Sequence, residues 1–151
     1  MYPDTDYDVV VVGGGPAGST VGALLADAGR KVLVIDREKF PRFRVGESLM
    51  PATYWTLERL GVLDQMKCSS FPNKHSVQFF AKNGEAAAPY YFSRVNQHES
   101  SQTWQVDRRD FDHMLLKNAA AKDADVFEQV RVHDVLFDGN RVMGIRAEFK
   151  N

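Results

Sequence analysis

Six consecutive residues, Gly13-Gly14-Gly15-Pro16-Ala17-Gly18, satisfy the spacing G-x-G-x-x-G. Glycines in that register suit a backbone that turns tightly at Gly13 and approaches a pyrophosphate without an intervening Cβ at Gly15. The third, Gly18, lets a helix lie close on a strand. Pro16 and Ala17 would open that helix, so an anion lodged there meets backbone N–H groups. Each favourable charge at such a terminus is worth roughly 0.3 to 1 kcal/mol, and directed hydrogen bonds supply most of the specificity. Asp36 lies eighteen positions after Gly18 (36 minus 18), close to the roughly 20 expected of an acid that holds a ribose diol. Its charge also disfavours a 2′-phosphate. The implied chemistry is dinucleotide binding, and the turn alone leaves open which dinucleotide.

The elements that must position these residues are legible around them. Val9 to Val12 is β-branched without polar alternation, as for a strand covered on both faces. From Pro16, the apolar positions Val21, Leu24, Leu25 and Ala28 recur at helical spacing, and Gly29 closes the helix. Val32 to Ile35 gives a second buried strand ending at Asp36, and strand, helix, strand implies a right-handed crossover, half of a doubly wound sheet. Pro51 to Leu60 reads as a helix stopped by Gly61. Ser76 to Ala81 and Ala87 to Phe92 read as strands joined through Asn83-Gly84, with a further strand at Gln102 to Val106. Asp107 and Asp110 resemble a capping box before a helix whose apolar stripe is Phe111, Met114, Leu115 and Ala119. Val126 to Val130, Val135 to Phe137 and Arg141 to Phe149 read as closing strands, the last two joined at Asp138-Gly139-Asn140.

Composition narrows the function classes. With 151 residues, 44% of them hydrophobic and 26% charged, the chain suits one ordinary globular domain. A net charge of -1 gives no long-range attraction to nucleic acid or anionic membrane. Cys68 is the single cysteine, which excludes an intrachain disulfide and points to a reducing compartment. The four histidines lie far apart, so no metal site is expected. An acidic start and no long apolar run give neither a secretory signal nor a transmembrane segment, and the expected location is the cytoplasm.

A second chemical constellation follows Asp36. Arg37, Lys39, Arg42 and Arg44 cluster in a chain of near-neutral charge, and Arg44 beside the small Gly46 offers a bidentate donor for a diphosphate or flavin edge. The stretch Phe40-Pro41-Arg42-Phe43-Arg44-Val45-Gly46-Glu47-Ser48, preceded by the glycine turn and followed by Trp104-Gln105-Val106-Asp107-Arg108-Arg109-Asp110-Phe111-Asp112, resembles a known pattern. It is similar to the flavin-dependent halogenases and geranylgeranyl reductases, within the aromatic-hydroxylase group of FAD enzymes, over roughly residues 7 to 137. Those families carry an Arg-x-x-Gly-Glu-Ser-like stretch and a Trp-x-Val-x-Arg-x-x-Phe-Asp stretch in this order.

The resemblance implies FAD as the cofactor and an α/β, Rossmann-like FAD-binding three-layer fold with an antiparallel β insertion. The expected organisation is one truncated domain, 1–151, with its core at 7–70 and 107–151 and the insertion at about 73–106. Cofactor-binding residues are then expected at Gly13, Gly15, Pro16, Ala17, Gly18, Asp36, Arg37, Arg44, Gly46, Glu47, Ser48 and Arg108. Ser48 has an alternative role in opening the next helix, and Arg108 in a surface ion pair. Lys74 falls where the halogenases carry an active-site lysine, and the resemblance implies that it passes an oxidised halogen, made from halide by reduced flavin and oxygen, to a small organic substrate. A lysine in a desolvated pocket suits that task because its pKa shifts readily. The halogenases also carry a Trp-x-Trp-x-Ile-Pro stretch, which Trp55 and Trp104 are too far apart to supply. The expected function is therefore the FAD-binding N-terminal part of a halogenase-like or monooxygenase-like oxidoreductase, with a separate flavin reductase or NAD(P)H as electron source. The alternatives are a geranylgeranyl-reductase-like enzyme and a nucleotide-binding module without catalysis.

Overall fold

The structure, a computed structural model, describes residues 6–150. Along the chain lie β1 (Val9–Val12), α1 (Pro16–Asp27), β2 (Val32–Ile35), α2 (Thr53–Leu60), α3 (Leu63–Lys67), β3 (Asn73–Lys74), β4 (Ser76–Val77) and β5 (Tyr90–Tyr91). Two short 3-10 turns follow, at Phe92–Arg94 and Glu99–Ser101, and then β6 (Thr103–Trp104), α4 (Arg108–Ala121), β7 (Asp125–Phe127), β8 (Val130–Asp138) and β9 (Arg141–Phe149). The described residues form two compact units, one made of the chain up to Val45 and from Arg108 onward, the other of Gly46–Asp107.

The first unit has three layers. Its middle is a parallel sheet in the order β1-β2-β7, with Val9 opposite Val32 and Leu33 opposite Asp125. All four residues of β2 are buried because both of its faces are covered, which is why it carries no polar alternation. Val34 meets the helical layer: a Cβ on Gly22 of α1 would lie 2.6 Å from Val34 Cγ2 and 3.9 Å from Ala119 Cβ of α4. Leu33 and Ile35 face the other way and pack with Val130, Val132 and Ile145 of the β8-β9 hairpin. The expected α/β architecture is thus present.

The closing strands differ from the sequence reading. Gln129 adopts φ 60°, a left-handed conformation that ends one strand direction, so β7 stops at Phe127 and β8 runs unbroken from Val130 to Asp138. The Val130 N–H then donates to the Asp36 carbonyl at 3.0 Å, placing the start of β8 beside the end of β2.

In the second unit the strands are shorter than expected. The Asn83-Gly84 turn forms, with Gly84 at φ 87° and its N–H on the Ala81 carbonyl. The flanking ladder is reduced to Ser76–Val77 against Tyr90–Tyr91 and a bridge between Phe80 and Ala86. Pro89 brings no N–H, and the Gln78 side chain takes the Ala87 carbonyl at 3.0 Å. Likewise β6 narrows to Thr103–Trp104, because the Gln105 N–H donates to Pro72 and the Val106 N–H to Glu47. Helix α2 starts at Thr53 rather than Pro51, since the Thr53 N–H and hydroxyl both turn back to the Met50 carbonyl. Among the described residues no helix is long and apolar enough to cross a membrane.

Candidate functional site

The glycine turn is held by its own backbone. Gly13 leaves β1 at φ 111° and donates to the Ile35 carbonyl at 2.7 Å. A Cβ on Gly18 would lie 1.8 Å from the Gly13 carbonyl oxygen, so no other residue fits there while the turn keeps its shape. Gly15 caps α1 without a side chain, Pro16 opens the helix, and the ladder begins with the Ser19 N–H on the Gly15 carbonyl at 2.9 Å. The N–H groups of Ala17 and Gly18 precede that first rung and have no carbonyl within the helix. Two donors beside a bare N-cap form a cradle for an anion.

Asp36 is nine-tenths buried and already engaged. One carboxylate oxygen accepts the Gly14 N–H at 2.8 Å, and the other accepts the Glu38 N–H at 2.9 Å. The residue therefore ties the glycine turn to the end of β2, and each oxygen keeps a lone pair for a hydroxyl. A cavity of about 310 Å³ opens here, lined by Gly13, Asp36, Arg37, Arg44 and the first residues of β8. That volume lies at the lower end of small-molecule sites and suits one half of a dinucleotide. Arg44 is held at its rim by Glu38, with N···O 3.0 Å. The cradle, the acid and the cavity together fit a dinucleotide.

Beneath the turn lies a charge cluster that sequence reasoning did not assemble. Asp112 of α4 is fully buried and receives two arginines. Arg42 Nη1 donates to Oδ2 at 3.0 Å, while Arg108 grips both oxygens, through Nε at 2.7 Å and Nη2 at 2.9 Å. Arg108 also donates to the Val45 carbonyl at 2.8 Å. Arg42 lies 4.3 Å over the Phe40 ring, its Nη2 3.7 Å from Asp36 and 3.4 Å from where a Gly15 Cβ would sit. Its Nε is buried without a hydrogen-bond partner. The signal for half of this cluster was present, since Arg108 and Asp112 are four apart on one helix. Nothing local in the sequence joined Arg42 to Asp112, seventy positions away.

The remaining sequence-predicted residues belong to the second unit. Gly46 adopts φ 110°, and its N–H meets the Glu47 carboxylate at 3.1 Å. Ser48 bridges to Gln105. Ser48 and Lys74 come together: Lys74 Nζ lies 2.6 Å from Ser48 Oγ and 3.0 Å from the Leu49 carbonyl, over the Phe92 ring at 5.4 Å. Partial burial lowers the Lys74 pKa below the ordinary lysine value. Met50 and Phe92, the neighbours of that amine, also line an apolar cavity of about 470 Å³. Among the described residues no cluster of His, Cys, Asp and Glu is arranged to hold a metal.

Comparison with known proteins extends these observations. The family described as FAD binding domain matches residues 6–150. A 1H-pyrrole-2-carbonyl-[peptidyl-carrier protein] chlorinase from Pseudomonas fluorescens is 37% identical over 150 residues, covering 89% of this chain and 33% of its own. Among solved structures, the myxobacterial chondrochloren halogenase, an FAD-dependent halogenase, superimposes with a TM-score of 0.88 at 41% identity, over 95% of this chain and 33% of that one. A flavoprotein/dehydrogenase from Cytophaga hutchinsonii gives a TM-score of 0.82 at 37% identity, over 94% and 35%. The chain thus spans about one third of the length of the relatives it matches.

Proposed function

Because the chain belongs to the FAD binding domain family, we propose that it is the FAD-holding part of a flavin-dependent oxidoreductase of the halogenase type acting on a small organic molecule. The observation that carries this reading is the Lys74 amine, fixed on Ser48 and partly desolvated beside an apolar cavity. The halogenases among its relatives support the reaction class.

In this reading Gly13, Gly15, Pro16, Ala17 and Gly18 cradle the FAD pyrophosphate, with Ala17 and Gly18 donating their N–H groups. Asp36 accepts from the adenosine ribose. Arg37 and Arg44 flank the adenosine side of the cavity that they line with Asp36. Gly46, Glu47 and Ser48 serve the flavin side. Arg108 completes the set from α4, fixing the Val45 carbonyl just ahead of Gly46. Bound flavin would supply the redox chemistry, in which oxygen takes two electrons from the reduced cofactor and two from a halide ion to give hypohalous acid and water. The Lys74 Nζ lone pair would take the halogen as the HO–X bond breaks and water leaves with an amine proton, and the substrate carbon would then take the halogen from Nζ as its C–H proton restores the amine. A neutral amine offers the lone pair that an ammonium lacks, which its lowered pKa favours. Electrons come from a separate flavin reductase or from NAD(P)H. The cytoplasm is the proposed location, with the unpaired Cys68 consistent with a reducing compartment.

Two observations favour a second reading. The flavoprotein/dehydrogenase neighbour and the apolar cavity also suit a reductase acting on an apolar double bond. Two measurements decide. Purified protein should be yellow and titrate with added FAD, and absence of a tight complex would sink the cofactor assignment. In the full-length protein, Lys74→Ala should abolish halogenation while leaving FAD bound. Undiminished halogenation in that variant removes Lys74 from the mechanism, and reduction of an alkene without halogenation selects the second reading.

A further inference from the structure

The backbone of Glu38 is fixed on both sides. Its N–H donates to Asp36 Oδ1 at 2.9 Å, and its carbonyl accepts the Gln129 N–H at 3.4 Å. From that fixed point the side chain reaches two arginines. Oε2 lies 3.0 Å from Arg44 Nη2, at the rim of the cavity lined by Asp36, and 3.7 Å from Arg42 Nε beneath the glycine turn. One oxygen thus faces both guanidiniums, bonded to the first and just beyond hydrogen-bond reach of the second.

The two arginines differ in freedom. Arg42 is exposed at only 10% and cannot follow a ligand, because Asp112 holds Nη1 at 3.0 Å and the guanidinium lies 4.3 Å over the Phe40 ring. Its Nε is buried with no hydrogen-bond partner among the described residues, and a buried donor left unmade is costly. Arg44 is exposed at 40% and Glu38 at 31%, so water competes for their pair and the pair is given up at small cost. Arg44 also lines the cavity together with Gly13, where the glycine turn begins. An anion lodged on that turn offers Arg44 a second partner within its own cavity. The carboxylate that Arg44 leaves has a new donor waiting at Arg42 Nε.

We propose that Glu38 is a positioning residue with two arginine partners, holding Arg44 at the cavity rim and closing onto Arg42 Nε when Arg44 turns to the diphosphate of FAD. The exchange rests on the FAD reading of this cavity and is independent of Lys74. It trades an ion pair in water for a charge-assisted bond in a buried place. Charge alone gives the opposite sign: a carboxylate beside a diphosphate site repels the ligand, and its removal should tighten binding. Under the exchange its removal weakens binding, because Arg42 Nε then stays unpartnered in the complex.

The test is FAD binding to the full-length protein, followed at equilibrium by flavin fluorescence. Absence of a wild-type complex would defeat the FAD reading and the exchange with it, whereas every other contrary result defeats the exchange alone. Glu38→Ala should weaken FAD about tenfold, with the melting temperature of the FAD-free protein unchanged. Equal or tighter binding would overturn the exchange. Glu38→Gln keeps an oxygen for Arg42 Nε and should lose less than Glu38→Ala, and an equal loss in both would count against the exchange. Arg44→Ala should weaken FAD about tenfold by itself. With Arg44 gone, Glu38 can sit on Arg42 Nε throughout, so adding Glu38→Ala should lower affinity by no more than about twofold further. Losses that multiply across the two sites would show Glu38 acting apart from Arg44 and would overturn the exchange. A second readout uses isotopically labelled arginine and nuclear magnetic resonance. Saturating FAD should slow exchange of the Arg42 Nε–H with water in wild type and not in Glu38→Ala, and an Nε–H that FAD leaves unchanged in wild type would sink the proposal.

Discussion

The two units handle charge in opposite ways. Under the glycine turn, Asp112 is fully buried, and Arg42 and Arg108, exposed at only 10% and 16%, converge on it. In the Gly46–Asp107 unit the corresponding tie, Lys67 to Glu99, stands in water at 41% and 57% exposure. A buried carboxylate between two guanidiniums is costly to desolvate and costlier to break, because removing one member strands the others. An exposed pair is screened and can be lost with little effect on folding. The first arrangement suits a site whose ligand does not vary, since any change there is paid for in folding. The second suits a region that can be rebuilt residue by residue while the scaffold survives.

The sharpest way to break this contrast is Asp112→Ala. It leaves Arg42 and Arg108 without their shared carboxylate and should cost about 3 to 5 kcal/mol in urea unfolding, with FAD affinity lost in parallel. A loss below about 1 kcal/mol would mean that solvent or a neighbouring acid already serves the arginines, and the contrast would fail. Gly18→Ala comes next. Its methyl group would meet the Gly13 carbonyl at 1.8 Å, so the turn must open, at a cost of about 3 kcal/mol. The flavin colour should disappear from the purified variant. Retained colour at wild-type stability would show that α1 can slide away from β1.

How far these features were legible follows the same division. The first unit's opening two strands, its first helix and the turn between them could be read locally, because a β-branched run, three glycines and a terminal acid each act within a few residues, whereas the β7-β8 boundary turns on the left-handed Gln129, which no local signal marked. Lys74 and Ser48 were each named, but their contact at 2.6 Å depends on pairing Asn73–Lys74 with Thr103–Trp104, thirty residues on. Arg42 and Arg44 both precede Gly46-Glu47-Ser48, and sequence had no means of showing which lay buried. Burial separates them: Arg42 goes under the turn to Asp112, while Arg44 stays at the rim with Glu38. The shortened ladder of the second unit was similarly hidden, since Gln78 competes for a carbonyl through a side chain that any strand would tolerate in solvent.

Lys74→Ala sharpens the comparison from the other side. The amine lies in the lightly built unit, so unfolding should change by no more than about 0.5 kcal/mol, while halogenation falls by at least a hundredfold. Burial lowers the Lys74 pKa, so the neutral amine gains as pH rises. Wild-type kcat/KM should therefore climb with pH, with its midpoint below that of an ordinary lysine. A midpoint at or above the ordinary value would mean that the charged amine acts, as a donor, instead.

The smallest effect is expected at Glu99. Its carboxyl is held below the usual range chiefly by the Tyr54 hydroxyl and then by Lys67, with His98 adding a little in the same direction. A carboxyl with a depressed folded pKa contributes to the hold on the Glu99–Ser101 turn above its unfolded value, and that contribution fades as pH falls through the lower folded value. On the alkaline side, Glu99 raises the Lys67 pKa, with smaller help from Tyr54 and Asp64, and Glu58 adds to the raising of Tyr54. The pair therefore stays charged across the whole neutral range. The small effect of Glu99→Ala on melting temperature should be flat there and fall only in acid, below the point where an ordinary glutamate titrates, with FAD still bound at the onset of the loss. A fall near neutral pH would show that the Glu99 carboxylate is not the group that holds the turn.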